Sequence, residues 1–191
     1  MAAPVDDIQT LPPDLPVPID DGACAHLAGM RIPSLALHST GGRAVRLSDL
    51  PGWTVVYCYP RTGEDRLEPP PGWNEIPGAR GCTPQTCGFR DRYAAFRGVG
   101  VAVFGMSTQT TEYQREMAER LETGFEILSD EDLEMVNALR LPTFVFRDMT
   151  LIKRLTLFIH DGVIEHVIYP VFPPDRSAQA ALQWLKGVAH L

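Results

Sequence analysis

The run Gly78-Ala79-Arg80-Gly81-Cys82-Thr83-Pro84-Gln85-Thr86-Cys87-Gly88-Phe89-Arg90-Asp91 sets two of the chain's four cysteines five positions apart. A cysteine sulfur can serve as nucleophile, metal ligand or redox centre, so the spacing has to decide among these. Cys82 and Cys87 are too far apart for a Cys-x-x-Cys motif, no second ligand pair follows at finger-like spacing, and the five histidines are scattered. Thr83 to Phe89 reads as the start of a helix. That puts Cys82 at or beside its N-terminus, where unpaired amide N–H groups and the macrodipole stabilise an anion. The thiolate favoured there is the form of sulfur that attacks peroxides and disulfides. In a regular helix, residues five apart are separated by about 7.5 Å along the axis and about 500° around it. A disulfide needs Cα atoms nearer than about 7 Å, so a Cys82–Cys87 bond requires the first turn or two to unwind. That fits a cycling bond better than a permanent staple. The spacing is also compatible with two small buried hydrophobes on an amphipathic helix.

The remainder of the chain limits the alternatives. At 191 residues and 45% apolar composition it predicts one domain with a single substantial core. The net charge of -7, with no Lys/Arg run, gives no electrostatic footprint for nucleic acid or an anionic membrane. The N-terminal stretch carries acids where a signal peptide needs basic residues and prolines where it needs an apolar run. No segment approaches the roughly 20 apolar residues of a membrane span. A cytoplasmic protein is expected, and in that reducing compartment a cysteine pair is more often catalytic, redox-cycling or metal-binding than structural.

The elements that must position the cysteines follow from periodicity. Residues 1–22 predict an extended N-terminal arm and 23–191 a single α/β domain. Residues 30–50 read as two short strands around a turn at Ser39-Thr40-Gly41-Gly42. Trp53 to Tyr59 is a buried strand halted by Pro60. The prolines and glycines of residues 61–80 forbid a long regular element, and the cysteine helix follows, with Gly98 and Gly100 as its stop. Val101 to Thr108 is a second buried strand, and Tyr113, Met117 and Leu121 make the apolar stripe of a surface helix. Ser129 is expected to cap a further helix, with Asp132 three residues on. Thr143–Asp148, Leu151–Gly162 and Val163–Val171 read as strands, with an Asp161-Gly162 hairpin turn, and an amphipathic helix closes the chain. Strands alternating with helices and then a terminal hairpin indicate a three-layered fold with a mixed central sheet.

Val55-Val56-Tyr57-Cys58-Tyr59-Pro60, the run Gly81 to Asp91, and Arg154 to Gly162 together resemble the bacterioferritin comigratory protein, or peroxiredoxin Q, branch of the peroxiredoxins. The likeness extends from about residue 25 to the end. It implies a thioredoxin-like three-layer sandwich and a thiol peroxidase acting on hydrogen peroxide or small alkyl hydroperoxides, with no metal, haem or flavin. By this resemblance Cys82 is the peroxidatic cysteine, oxidised to a sulfenic acid. Cys87 resolves it as an intramolecular disulfide, which a thioredoxin-like dithiol reduces. Arg154 matches the late family arginine that stabilises the thiolate and polarises the peroxide; without the resemblance it reads as a surface strand cation. The branch is often monomeric, and a monomer is expected here, a dimer being the alternative.

The chain departs from the family pattern Pro-x-x-x-Thr-x-x-Cys. Glu75 and Ala79 occupy its proline and threonine positions, and Pro60 precedes Cys82 by 22 positions instead of seven, which leaves 15 extra residues. Either the insertion loops out and returns Thr62 to the sulfur, with Pro60 in the family proline's place, or another group orients the peroxide. The insertion, with Pro69-Pro70-Pro71 and Trp73, reads as a lid, a partner surface or a passive excursion. A protein-disulfide oxidoreductase and a redox-responsive binding module are the alternative functions. Cys58 reads as a packing residue and Cys24 as an exposed thiol near the arm. His160 and His166 have no catalytic neighbour in sequence. Arg90 and Asp91 read as an ion pair or a helix-to-sheet contact, and Leu141-Pro142-Thr143 is similar to the cis-proline turn of thioredoxins.

Overall fold

The computed structural model describes residues 11–63 and 68–188. Its centre is a seven-stranded mixed sheet. The strands are β1 (Leu37–Ser39), β2 (Ala44–Val45), β3 (Trp53–Cys58), β4 (Ala102–Ser107), β5 (Ile127–Ser129), β8 (Leu155–His160) and β9 (Val163–Ile168), in the order β2-β1-β5-β4-β3-β8-β9. β3, β4 and β5 run parallel, and the pairs on either side of them are antiparallel. A separate hairpin of β6 (Thr143–Phe146) and β7 (Met149–Ile152) stands beside this sheet.

Alternation along β3 explains the layers. Val56 and Cys58 face a core completed by Met135, Val136 and Leu139 of α3 (Glu134–Leu139) together with Leu27 and Ile32. Val55 and Tyr57 face the opposite core, built from α1 (Cys82–Gly98), α2 (Thr111–Leu121) and α4 (Ser177–Val188). There the Tyr57 ring stacks on Phe89 at 4.3 Å and 9°. Burying a ring of that size contributes about 1.5–3 kcal/mol, so Phe89 pins α1 to the sheet from its second turn onward. Asp161 and Gly162 both have positive φ, +47° and +76°, the conformation of a tight two-residue hairpin turn.

Three local expectations are corrected. Ser129 does not cap α3: its hydroxyl donates to the Gln109 carbonyl, and the buried Asp130 carboxylate instead accepts the amide N–H groups of Met135 and Val136. The run from Leu151 to Gly162 is not one strand, because Lys153 and Arg154 link β7 of the hairpin to β8 of the main sheet. Among the described residues the cis peptide bonds are Tyr169–Pro170 and Phe172–Pro173, not Leu141–Pro142. Among the described residues no helix is long and apolar enough to cross a membrane.

Residues 11–22 hold no helix or strand and are tied down near their end by Asp21, which accepts from Lys153 Nζ at 2.7 Å and Tyr169 Oη at 2.9 Å. Residues 68–81 contain only a 3₁₀ turn at Trp73–Glu75. They are nonetheless packed: Trp73 and Ala79 form a third apolar cluster with Phe146 and Leu151 of the β6–β7 hairpin.

Candidate active site

The C-terminal ends of parallel strands are where α/β sheets collect ligand-binding loops, and the cysteine helix starts there. Gly81 precedes α1 with φ +107°, a conformation open to glycine, and a Cβ at that position would overlap the Pro174 ring. Cys82 is therefore the first residue of the helix, 4% exposed, as the sequence predicts. The register Cys58↔Leu155 sets β8 beside the end of β3, which delivers the preceding residue, Arg154, to the same point.

Arg154 is buried at 3% exposure, so it is not the surface strand cation that its spacing suggests. Its Nη2 lies 3.1 Å from Cys82 Sγ and also donates to the carbonyls of Ala79 at 3.0 Å and Arg80 at 3.3 Å. Its Nε donates to the Gly78 carbonyl, and its Nη1 to Gln85 Oε1. Gln85 is held in turn by Ser177, whose hydroxyl accepts from its Nε2. Among the described residues no carboxylate forms an ion pair with Arg154. Burying an ion costs several kcal/mol unless a partner charge and hydrogen bonds offset it. Among the described residues, the one hydrogen-bond partner of this guanidinium that can carry a negative charge is the Cys82 sulfur. The geometry is that of a fixed fork facing the sulfur.

Cys82 opens into a cavity of about 240 Å³ whose walls include Arg61, Thr62, Trp73, Arg80, Pro84, Tyr113 and Arg147. Thr62 thus returns to the cysteine's cavity after the excursion. Its hydroxyl donates to Gln109 Oε1 at 3.3 Å, and no hydrogen bond joins it to Cys82 among the described residues. The Gln109 amide also accepts the Thr62 N–H and donates to the Thr62 carbonyl, which Tyr113 Oη contacts as well. Ala79, at the position of the family threonine, offers a carbonyl that receives both Arg154 and the Cys82 thiol. Pro60 is buried where β3 ends but does not line the cavity.

Cys87 is half-buried on the continuous helix, and all four cysteines are free. Burial pushes the Cys87 thiol up from its ordinary value, and the neighbouring Arg90 guanidinium works against that shift. Cys87 is therefore a neutral thiol at pH 7, and its thiolate fraction grows about tenfold per pH unit below its pKa. Were Cys87 to close on an oxidised Cys82, that step would accelerate from about pH 6 to pH 9, as followed by quenched-flow mass measurement; a flat profile would remove Cys87 thiolate formation as the limiting event.

The remaining thiols lie in the core on the other face of the sheet. Cys24 is buried rather than exposed, and burial, followed by Asp21 and Asp20, raises its thiol to about 12. Cys58 is fully buried, as the sequence implies, and burial pushes its thiol far up. His160 packs on Trp53 and His166 on Trp184, both away from the cysteine. Arg90 pairs with Asp91 and donates to the Leu121 carbonyl.

Sequence reasoning missed Gln109 and the arginines of the cavity wall. The position of Gln109, just beyond the C-terminal end of β4, was a signal within reach; nothing local marks Arg61, Arg80 or Arg147.

Comparison with known proteins agrees with this geometry. The Redoxin family profile matches residues 27–182. Peroxiredoxin Bcp of Escherichia coli K12 is 32% identical over 164 residues, covering 83% of this chain and 95% of its own. Peroxiredoxin Q from the chloroplast of Oryza sativa subsp. japonica is 30% identical over 162 residues, 84% of this chain and 67% of its own. Among solved structures, peroxidoxin BcpB of Mycobacterium tuberculosis superposes with a TM-score of 0.67 at 25% identity, covering 84% of this chain and 97% of that one.

Proposed function

The chain belongs to the Redoxin family as a peroxiredoxin of the Bcp and peroxiredoxin Q kind, a thiol peroxidase on a thioredoxin-like fold, and from that premise we propose that Cys82 is its peroxidatic sulfur. The observation that carries the assignment is the buried Arg154 fork, which has the Cys82 sulfur 3.1 Å away and no carboxylate partner among the described residues. The thiolate attacks the distal peroxide oxygen. An S–O bond forms as the O–O bond breaks, and the other oxygen leaves as water or an alcohol after taking up a proton. Arg154 meets the negative charge that moves from sulfur to oxygen with donors already in place.

Thr62, held on three sides by Gln109, is the hydroxyl that orients the peroxide in the cavity, and Pro60 sets the turn that leads to it. Cys87 then displaces water from the sulfenic acid to give the disulfide, once the first turns of α1 have unwound. Peroxiredoxins reduce peroxides and are recycled by thioredoxin-like reductants; hydrogen peroxide or a small alkyl hydroperoxide is the substrate and a thioredoxin-like dithiol the electron donor here. Residues 23–188 act as one domain, with 11–22 an arm and about 61–80 an insertion; the expected arm's residues 1–10, the insertion's 64–67 and the domain's 189–191 lie outside the described residues. The sheet edges, a two-residue β2 and a β9 bridged by Arg31, offer little for a second copy to pair with, which favours a monomer. A cytoplasmic setting, where a cysteine pair cycles rather than staples, belongs to the same reading.

The test is intact-mass and peptide-mapping spectrometry of the reduced protein after one equivalent of peroxide. Loss of two hydrogens, mapping to a Cys82–Cys87 bond, is the expected result. In Cys87→Ser, Cys82 accumulates as a sulfenic acid that dimedone traps. Normal turnover with thioredoxin in that variant would remove Cys87 from the cycle.

A further inference from the structure

Thr62 owes its place to one side-chain amide. It lies beyond the end of β3 and outside any strand. Gln109, on the loop between β4 and α2, supplies what a neighbouring strand would. Its Oε1 accepts the Thr62 N–H at 2.9 Å and its Nε2 donates to the Thr62 carbonyl at 3.3 Å. A main-chain N–H only donates and a carbonyl only accepts, so these two bonds decide which end of the amide carries the oxygen. That oxygen has no proton, so the Thr62 hydroxyl 3.3 Å away must donate to it. What the hydroxyl has left for the cavity that Thr62 lines is its lone pairs.

The main chain of Gln109 is anchored independently of that amide. Its N–H donates to Ser107 Oγ at 3.2 Å, and its carbonyl accepts from the Ser129 hydroxyl at 2.7 Å and from Gln114 Nε2 at 2.8 Å. Gln114 is fully buried, and its Oε1 accepts from Tyr59 Oη at 2.8 Å. Both ends of the segment 59–62 are thus tied to one loop, through two glutamine side chains. A buried polar network satisfied in this way holds its members in a single arrangement. Gln109 itself stands behind Thr62 and is not among the residues that line the cavity.

We propose that Gln109 is a positioning residue for the peroxide step, acting through Thr62: its amide fixes where the Thr62 hydroxyl stands and turns the hydroxyl proton away from the peroxide, so that Thr62 accepts from the peroxide O–H. This rests on Cys82 being the peroxidatic sulfur and on Thr62 facing the peroxide. Gln109 takes no part in the bond changes at sulfur and oxygen. Its contribution is alignment, and a reacting atom displaced by about 1 Å can cost about 10²-fold in rate. Glutamate at the same position has the same shape. Ionised, it sets a second oxygen against the Thr62 carbonyl; protonated, it donates there as the amide does.

The experiment measures the second-order rate constant for Cys82 sulfenic acid formation with hydrogen peroxide, by quenched-flow mass measurement on the full chain. It compares the unaltered protein, Gln109→Met, Thr62→Val and the double variant, each with a thermal scan. Gln109→Met is expected to lower the rate about tenfold or more and Thr62→Val by at least as much. The double variant should match Thr62→Val, because the amide then has no hydroxyl to orient. Losses that multiply in the double variant, or an unchanged rate in Gln109→Met, overturn the role. Gln109→Glu supplies a second readout that does not depend on Gln109→Met folding. Its rate relative to the unaltered protein at the same pH should rise as pH falls from about 8 to 5, since the carbonyl and the burial favour the protonated carboxyl; a flat ratio overturns the role. No sulfenic acid on Cys82 in the unaltered protein overturns the peroxidatic assignment and this role with it, whereas the other failures leave that assignment standing.

Discussion

Cys82→Ser is expected to reduce peroxide consumption to the uncatalysed background. A serine hydroxyl at the helix start is not a nucleophile without a base to take its proton, and among the described residues no histidine or carboxylate hydrogen-bonds Cys82, whose partners are Arg154 and the Ala79 carbonyl. Oxygen is smaller than sulfur and meets no clash in the same place, so the variant should melt close to the parent. Stopped-flow peroxide consumption beside a thermal scan separates lost chemistry from lost structure. Full activity in a folded Cys82→Ser protein would transfer the reaction to another thiol and remove the assignment.

Arg154 carries the second large effect. Lysine keeps the charge but cannot reach the Gly78, Ala79 and Arg80 carbonyls, Gln85 and the sulfur together, as the guanidinium does. Arg154→Lys is expected to lower kcat/KM for hydrogen peroxide about 10²-fold, and Arg154→Met about 10³-fold, the range seen when preorganised donors facing developing charge are removed. The loss should fall on the first oxidation, read as the rate of Cys82 sulfenic acid formation. A substitution that altered only the later reduction by thioredoxin would place Arg154 outside the peroxide step.

How far these roles were legible in the sequence depended on distance along the chain. Cys82 at the start of a helix, the β3 run ended by Pro60, and the Asp161-Gly162 turn all follow from short-range patterns, and each is where the pattern puts it. Arg154 was misplaced by pattern alone: an arginine between two apolar runs looks like one solvated position on one strand. Only the passage from hairpin to main sheet, and the pairing of β8 with β3, bury it. Ser129 failed as a cap for a similar reason, since Asp130 reaches the amides of α3 and frees Ser129 to bind Gln109. The cavity arginines were invisible because Arg61, Arg80 and Arg147 meet only after the insertion has folded back on β6–β7. Cys24 illustrates the converse error, an arm-proximal residue assumed exposed that the neighbouring loop and sheet cover.

The unbroken helix through Cys82 and Cys87 has an electrochemical consequence. Closing the proposed disulfide unwinds the start of α1, where Gln85 holds Ser177 and Arg154, and Thr86 receives the Tyr57 hydroxyl at 3.2 Å. Whatever stabilises those turns stabilises the dithiol state relative to the disulfide, and so raises the midpoint potential of the couple, by about 30 mV for each 1.4 kcal/mol. The packing of one helical segment therefore sets how readily the oxidised protein draws electrons from its reductant.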